Sequence, residues 1–182
     1  MKPIQSTRES GFTLLELLLV IGVAALLLIG GIVTYRLVTD GNKATETTRL
    51  LLTIRQEAQT LAQQQGSNYA GITFATGSAS TTQPLVASGV LRVGQSNSFS
   101  GTITIGPVTT TNANDSLSVA FTNISQSACT KLAIAINNPN EVISTTVNAT
   151  AFTSAGGTIP VTVAAAAVAC ANPVNTITWV FP

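Results

Sequence analysis

A single carboxylate, Glu16, stands at the head of an uncharged stretch that runs from Leu17 to Tyr35, in the segment opening GFTLLELLLVIG at residue 11. From Phe12 to Thr34 the apolar run reaches about 34 Å as a helix, enough to cross the ~30 Å hydrocarbon layer of a bilayer. Lys2 and Arg8 precede it, partly offset by Glu9, so the short leader MKPIQSTRESG is expected to stay cytoplasmic and the far end to face outward. An ionised carboxylate in hydrocarbon costs several kcal/mol or more unless a partner offsets it. Glu16 therefore needs a reason.

Three readings compete. A cleaved secretory signal would need small residues after the apolar core, but Ala24-Ala25 and Gly30-Gly31 lie inside a run that continues through Ile32 and Val33. A simple one-span anchor explains the length and lets Glu16 snorkel at the cytoplasmic interface. Cleavage after Gly11 instead removes the charged leader and creates a new α-amino group four residues from Glu16. In a stack of such helices, the carboxylate of one copy can then meet the amine of its neighbour, which offsets part of the desolvation cost and fixes axial register.

The stretch Gly11-Phe12-Thr13-Leu14-Leu15-Glu16, with the apolar run behind it, resembles the class III signal of type IV prepilins and their pseudopilin relatives. The resemblance implies Gly11 as the cleavage-site residue, Phe12 as the N-methylated first residue of the mature chain and Glu16 as the assembly carboxylate. It implies an α+β type IV pilin fold: a long N-terminal helix packed on an antiparallel sheet head with a C-terminal disulfide-bounded region. The partners it implies are copies of the same chain, a prepilin peptidase/N-methyltransferase, the pilus assembly machinery, and the inner membrane before export into an extracellular filament. A major pilin is the first reading. A type II secretion pseudopilin or minor pilin shares the first 35 residues, and a membrane-anchored extracytoplasmic enzyme or binding module is the rival of another class. Many pilins carry a proline in mid-segment; here Gly22 and Gly30-Gly31 are the weaker helix formers instead.

Helical periodicity persists past Arg36 through Leu37, Ala44, Leu51, Ile54, Ala58 and Leu61, and Gly66-Ser67-Asn68 is the expected stop. The organisation read from this is a leader (1–11), an apolar half-helix (12–35), an amphipathic half-helix (36–65) and a head (66–182). Residues 66–100 read as a Gly/Ser/Thr-rich connection, with Tyr69, Ile72 and Phe74 packing locally and a short strand within Leu85–Val93. Strands are expected at Thr102–Val108, Ser116–Ile124, Glu141–Ala149 and Asn175–Phe181. A short helix is preferred over a strand in 125–136, stopped by Asn137-Asn138-Pro139. The alanine run 164–169 fits either helix or strand.

Cys129 and Cys170, the two cysteines, read as one disulfide in an exported chain, with two buried free thiols as the alternative. A bond across that span contributes roughly 4 kcal/mol on the chain-entropy account. It would match the disulfide-bounded region of pilins, and a cysteine-bearing short helix with a large enclosed segment leans toward the type IVb group.

Composition narrows function further. Charged residues make up 8% of the chain, net charge is +1 and there is no histidine. A His-based triad or zinc site is impossible. Arg92 and Lys131 are the only basic residues after the long helix, so strong direct nucleic-acid binding is not expected. Asp115 and Glu141 are the only acidic ones there, and solvated turn or edge positions suit them better than an acid/base pair. Asn112, Asn114 and Asp115 fit a turn better than a calcium site. No cofactor, metal or catalytic residue is expected. Asn123 and Asn148 each open an N-x-S/T pattern, without meaning on a bacterial pathway.

Overall fold

The protein is described here by a computed structural model covering residues 13–182. Two compact units divide it, the first ending at Val38 and the second running from Thr39 to Pro182.

The first unit is helical. Helix α1 (Leu14–Gln64) begins there, and its leucines, isoleucines and valines from Leu14 to Ile32 are at least half exposed wherever burial is described. Leu37, expected on the buried stripe, is exposed as well and belongs to this unit.

In the second unit α1 becomes amphipathic. Ala44, Thr47, Leu51, Ile54, Ala58 and Ala62 are buried at spacings of three and four, one face of an α-helix. Leu61 is only partly buried, and Ala62 takes the inward position. The helix stops where the glycine predicted: Gly66 has φ +82° and Ser67 donates its N–H to the Ala62 carbonyl at 2.8 Å, the six-to-one bond of a Schellman ending.

A six-stranded antiparallel sheet receives that stripe. Its strands are β1 (Phe74–Ala75), β2 (Ile103–Val108), β3 (Ser116–Ser125), β4 (Ser144–Val147), β5 (Thr150–Thr153) and β6 (Val174–Phe181), in the order β1-β2-β3-β6-β4-β5. Alternation decides which side chains enter the core: Ile103 and Ile105 on β2, Leu117, Val119 and Phe121 on β3, Ile177, Trp179 and Phe181 on β6. Phe121 and Trp179 meet edge to face at 5.6 Å. Pro107 is tolerated in β2 because β1 pairs only with Thr104 and Ile105, which leaves the outer edge at Pro107 without a neighbouring strand.

The connection between α1 and the sheet is part of the core rather than a loose loop. Tyr69, Ile72, Phe74, Leu85 and Leu91 are all buried. The strand expected within Leu85–Val93 is absent. Pro84, with its fixed φ, instead opens the short helix α2 (Pro84–Ala87), and Gly89 at φ +81° turns the chain after it. Buried Asn97 organises the approach to β2, accepting at Oδ1 from Phe99 N–H and Gly101 N–H, each at 2.9 Å, and donating to the Thr122 carbonyl at 2.8 Å. Gly101 is required there, since a Cβ would lie 1.9 Å from the Thr122 carbonyl oxygen. Asn123, at φ +61°, takes up the bulge where β3 shifts register against β6.

The expected helix in 125–136 is α3 (Gln126–Ala133), and the alanine run resolves as helix α4 (Val163–Ala169), whose N-cap Thr162 Oγ1 accepts from Ala165 N–H at 3.2 Å. The strand expected over Glu141–Ala149 is shorter, because Asn138–Val142 forms a turn and Asn148 at φ +54° folds the chain back into β5. Cys129 on α3 and Cys170 at the end of α4 are joined by a disulfide, with Cα atoms 5.8 Å apart and both residues fully buried.

Candidate assembly helix and the disulfide-bounded region

Gly11 and Phe12, the predicted cleavage and methylation residues, lie outside the described residues, as does the rest of the leader 1–11. Glu16 lies in the first turn of α1 with its side chain exposed. Its backbone N–H donates to Thr13 Oγ1 at 3.3 Å, so Thr13 acts as the N-cap. A carboxylate in a helix's first turn interacts favourably with the positive end of the helix dipole. Among the described residues Glu16 has no ion-pair partner. The apolar part of α1 is long and apolar enough to cross a membrane, and that part is 0% buried.

Four charged residues of the second unit, Asp40, Arg55, Asp115 and Glu141, serve the fold. Asp115 closes the turn after β2: its Oδ2 accepts from Asn112 N–H at 2.7 Å and Thr111 N–H at 2.8 Å, and its Oδ1 from Thr110 N–H at 2.8 Å and Thr110 Oγ1 at 3.0 Å. The donation from Asn112 above all, then from Thr110, with Thr111 adding less, holds this carboxyl well below the usual carboxylate range, although burial opposes it. With both oxygens committed to backbone donors, the Asn112–Ser116 segment is a turn. Among the described residues no three His, Cys, Asp or Glu side chains cluster as metal ligands do. Glu141 is not paired with Asp115; its Oε2 accepts from Arg55 on α1 at 3.1 Å, the one salt bridge among the described residues.

Sequence reasoning missed other contacts. Asp40 Oδ2 accepts from Ser125 Oγ at 2.9 Å and from Ser127 Oγ, joining α1 to the start of α3. Ser125, the residue before α3, thus gives its hydroxyl to Asp40 instead of capping its own helix. Tyr69 donates its hydroxyl to the Pro182 backbone oxygen at 2.9 Å, and burial pushes the phenol above its ordinary value while Arg55 acts the other way. Both Asn123 and Asn148 spend their side-chain amides on internal bonds, to the Phe99 carbonyl at 2.7 Å and to the Ala169 carbonyl at 3.0 Å.

A long helix with an exposed apolar start, an amphipathic continuation buried on an antiparallel sheet, and a disulfide closing the C-terminal region together define the type IV pilin fold. Solved structures share it. The crystal structure of a type IV b pilin from Salmonella typhi matches with a TM-score of 0.52 at 20% identity, over 76% of this chain and 97% of that one. TcpA, a type IV pilin from the Vibrio cholerae El Tor biotype, matches with a TM-score of 0.58 at 16% identity, over 78% of this chain and 99% of that one. Comparison with curated protein sequences finds no match. The family described as PilS N terminal matches residues 41–181, and the chain belongs to that family.

Proposed function

We propose that this chain is the structural subunit, the major pilin, of a type IV pilus. It is made as a prepilin with leader 1–11 and held in the inner membrane by residues 12–35 with its head, 66–182, outside the cytoplasm. A prepilin peptidase cuts after Gly11 and methylates the amine of Phe12. The assembly machinery then draws the subunit into an extracellular homopolymer. The observation that carries this reading is the contrast between the two units. Residues 39–182 bury a full core of their own, whereas the apolar side chains of α1 from Leu14 to Ile32 are left exposed. Large exposed apolar surface has to be covered by lipid or by other chains, and a subunit that exchanges one for the other meets that demand twice. Glu16 supplies register, its carboxylate facing the Phe12 amine of a neighbouring copy.

Two measurements test this. N-terminal sequencing and mass analysis of sheared surface filaments should find a main component that starts at methylated Phe12. A cell-surface-free assembly with the same subunit would point to a pseudopilin, and an uncut leader would remove the prepilin reading. Glu16→Ala should be cleaved normally yet assemble poorly; assembly at full efficiency contradicts the registry role.

A further inference from the structure

We propose that Asn148 is a positioning residue for closure of the Cys129–Cys170 disulfide, holding Cys170 opposite Cys129 before the bond exists. Asn148 occupies the tight turn between β4 and β5 at φ +54°. Its backbone N–H donates to the Thr176 carbonyl at 2.8 Å and its Oδ1 accepts from Thr176 N–H at 3.0 Å, so its amide is fixed to β6 from both sides. The amide nitrogen then has two donors to give. One goes to Asn175 Oδ1 at 2.8 Å and the other to the carbonyl of Ala169, the residue before Cys170, at 3.0 Å. Asn175, itself buried, donates to the carbonyl of Asn172 at 2.8 Å, two residues beyond Cys170. The backbone is therefore gripped on both sides of Cys170 by two linked amides that need no sulfur chemistry.

The grip matters because α4 packs into the core only through small side chains, Ala166 and Ala169, with Ala165 partly buried beside them. It is seven residues long, and Val163 and Val168 are exposed at 62% and 79%. Cys129 sits on α3, where Ala128, Leu132 and Ala133 are buried around it. One thiol is thus placed by the packing of its helix, and the other by small alanine contacts together with the Asn148–Asn175 pair. Closure by exchange with a disulfide donor proceeds in two steps. One thiolate attacks the donor and releases one donor thiol; the second cysteine, deprotonated, attacks the mixed disulfide and releases the other. Two protons leave the protein thiols, and their two electrons reduce the donor disulfide to two thiols. The second step competes with capture by any other thiol, including one on a second copy, so its yield follows the effective concentration of Cys170 at Cys129.

The test uses the full chain in detergent, equilibrated in reduced and oxidised glutathione, quenched by alkylation and read by mass spectrometry. Asn148→Gly removes the amide and keeps the positive φ without strain. It should lower the equilibrium constant for the intramolecular disulfide about tenfold, with mixed glutathione disulfide accumulating. Asn123→Gly, another positive-φ asparagine whose amide bonds Phe99 elsewhere in the fold, is the control and should stay within about twofold of wild type. An Asn148→Gly value within that margin, or an equal fall in the control, overturns the proposal. A second measurement does not depend on the variant folding. In reduced wild-type protein the Cys170 N–H, bonded to the Ala166 carbonyl at 2.9 Å, should stay protected from hydrogen exchange. Exchange at the rate of an unfolded chain overturns the proposal equally.

Discussion

Arg55 on α1 donates to Glu141 Oε2 at 3.1 Å while its guanidinium lies 5.2 Å from the centre of the Phe181 ring. One side chain thus ties the helix to the turn before β4 and to the end of β6. Glu141 is half exposed, so the ion pair itself is worth under about 1 kcal/mol, and the stacked, mostly buried guanidinium supplies the rest. Arg55→Ala should cost about 1–2 kcal/mol in urea unfolding, and Glu141→Gln under about 1 kcal/mol. Equal losses for the two would show that stacking on Phe181 contributes nothing.

The turn closed by Asp115 should be acid-sensitive. Its carboxyl is held low in the folded chain, so its contribution is fully present above the ordinary Asp value of about 3.9 and is lost as pH falls below it. Asp115→Asn should melt at a lower temperature than wild type at pH 7, and the gap should narrow steadily below about pH 4. A gap that does not change with pH would assign the loss to shape rather than charge.

Tyr69 makes the opposite linkage. Burial raises its folded-state value, so its contribution is complete below about pH 10 and falls as pH rises past that. In a Tyr35→Phe background, tyrosinate absorbance should develop only above pH 10, together with loss of the folded signal. Titration at the free-tyrosine value in a folded chain would contradict the burial argument.

Two glycines should respond in opposite ways to alanine. At Gly101 the added Cβ would meet the Thr122 backbone, and Gly101→Ala should cost about 3 kcal/mol or prevent folding. At Gly106, in β2, nothing lies within 4 Å, and alanine there should be neutral or stabilise by about 0.5 kcal/mol. Thermal melts of the two variants decide this, and similar melting points would refute it.

Much of this fold was legible where periodicity and punctuation agree. The stop at Gly66, the alternating strands β3 and β6, and the asparagines that end α3's neighbourhood are written in local sequence. The stretch Leu85–Val93 misled because its apolar residues lack a period and Pro84 outweighs their β propensity. Residues 66–100 look like linker by composition, yet Asn97 and Thr76 use their polar atoms to satisfy backbone groups, Thr76 Oγ1 bonding Gln95 O and Ile103 N at 2.7 Å each. A short polar side chain that organises a buried turn looks the same in sequence as one in solvent. The pairings Arg55–Glu141, Asp40–Ser125 and Asn148–Ala169 join residues far apart in the chain, where no spacing rule reaches. Glu16 was visible for the opposite reason: a charge against an uncharged background is a local signal.

The position of β6 sets the order in which the sheet can be completed. It lies between β3 and β4, so without residues 174–181 the β1–β2–β3 layer and the β4–β5 hairpin share no edge. During synthesis the apolar residues of α1 leave the ribosome long before that strand does. Until it emerges, the two parts of the sheet have no strand to join them, and the second unit stays open.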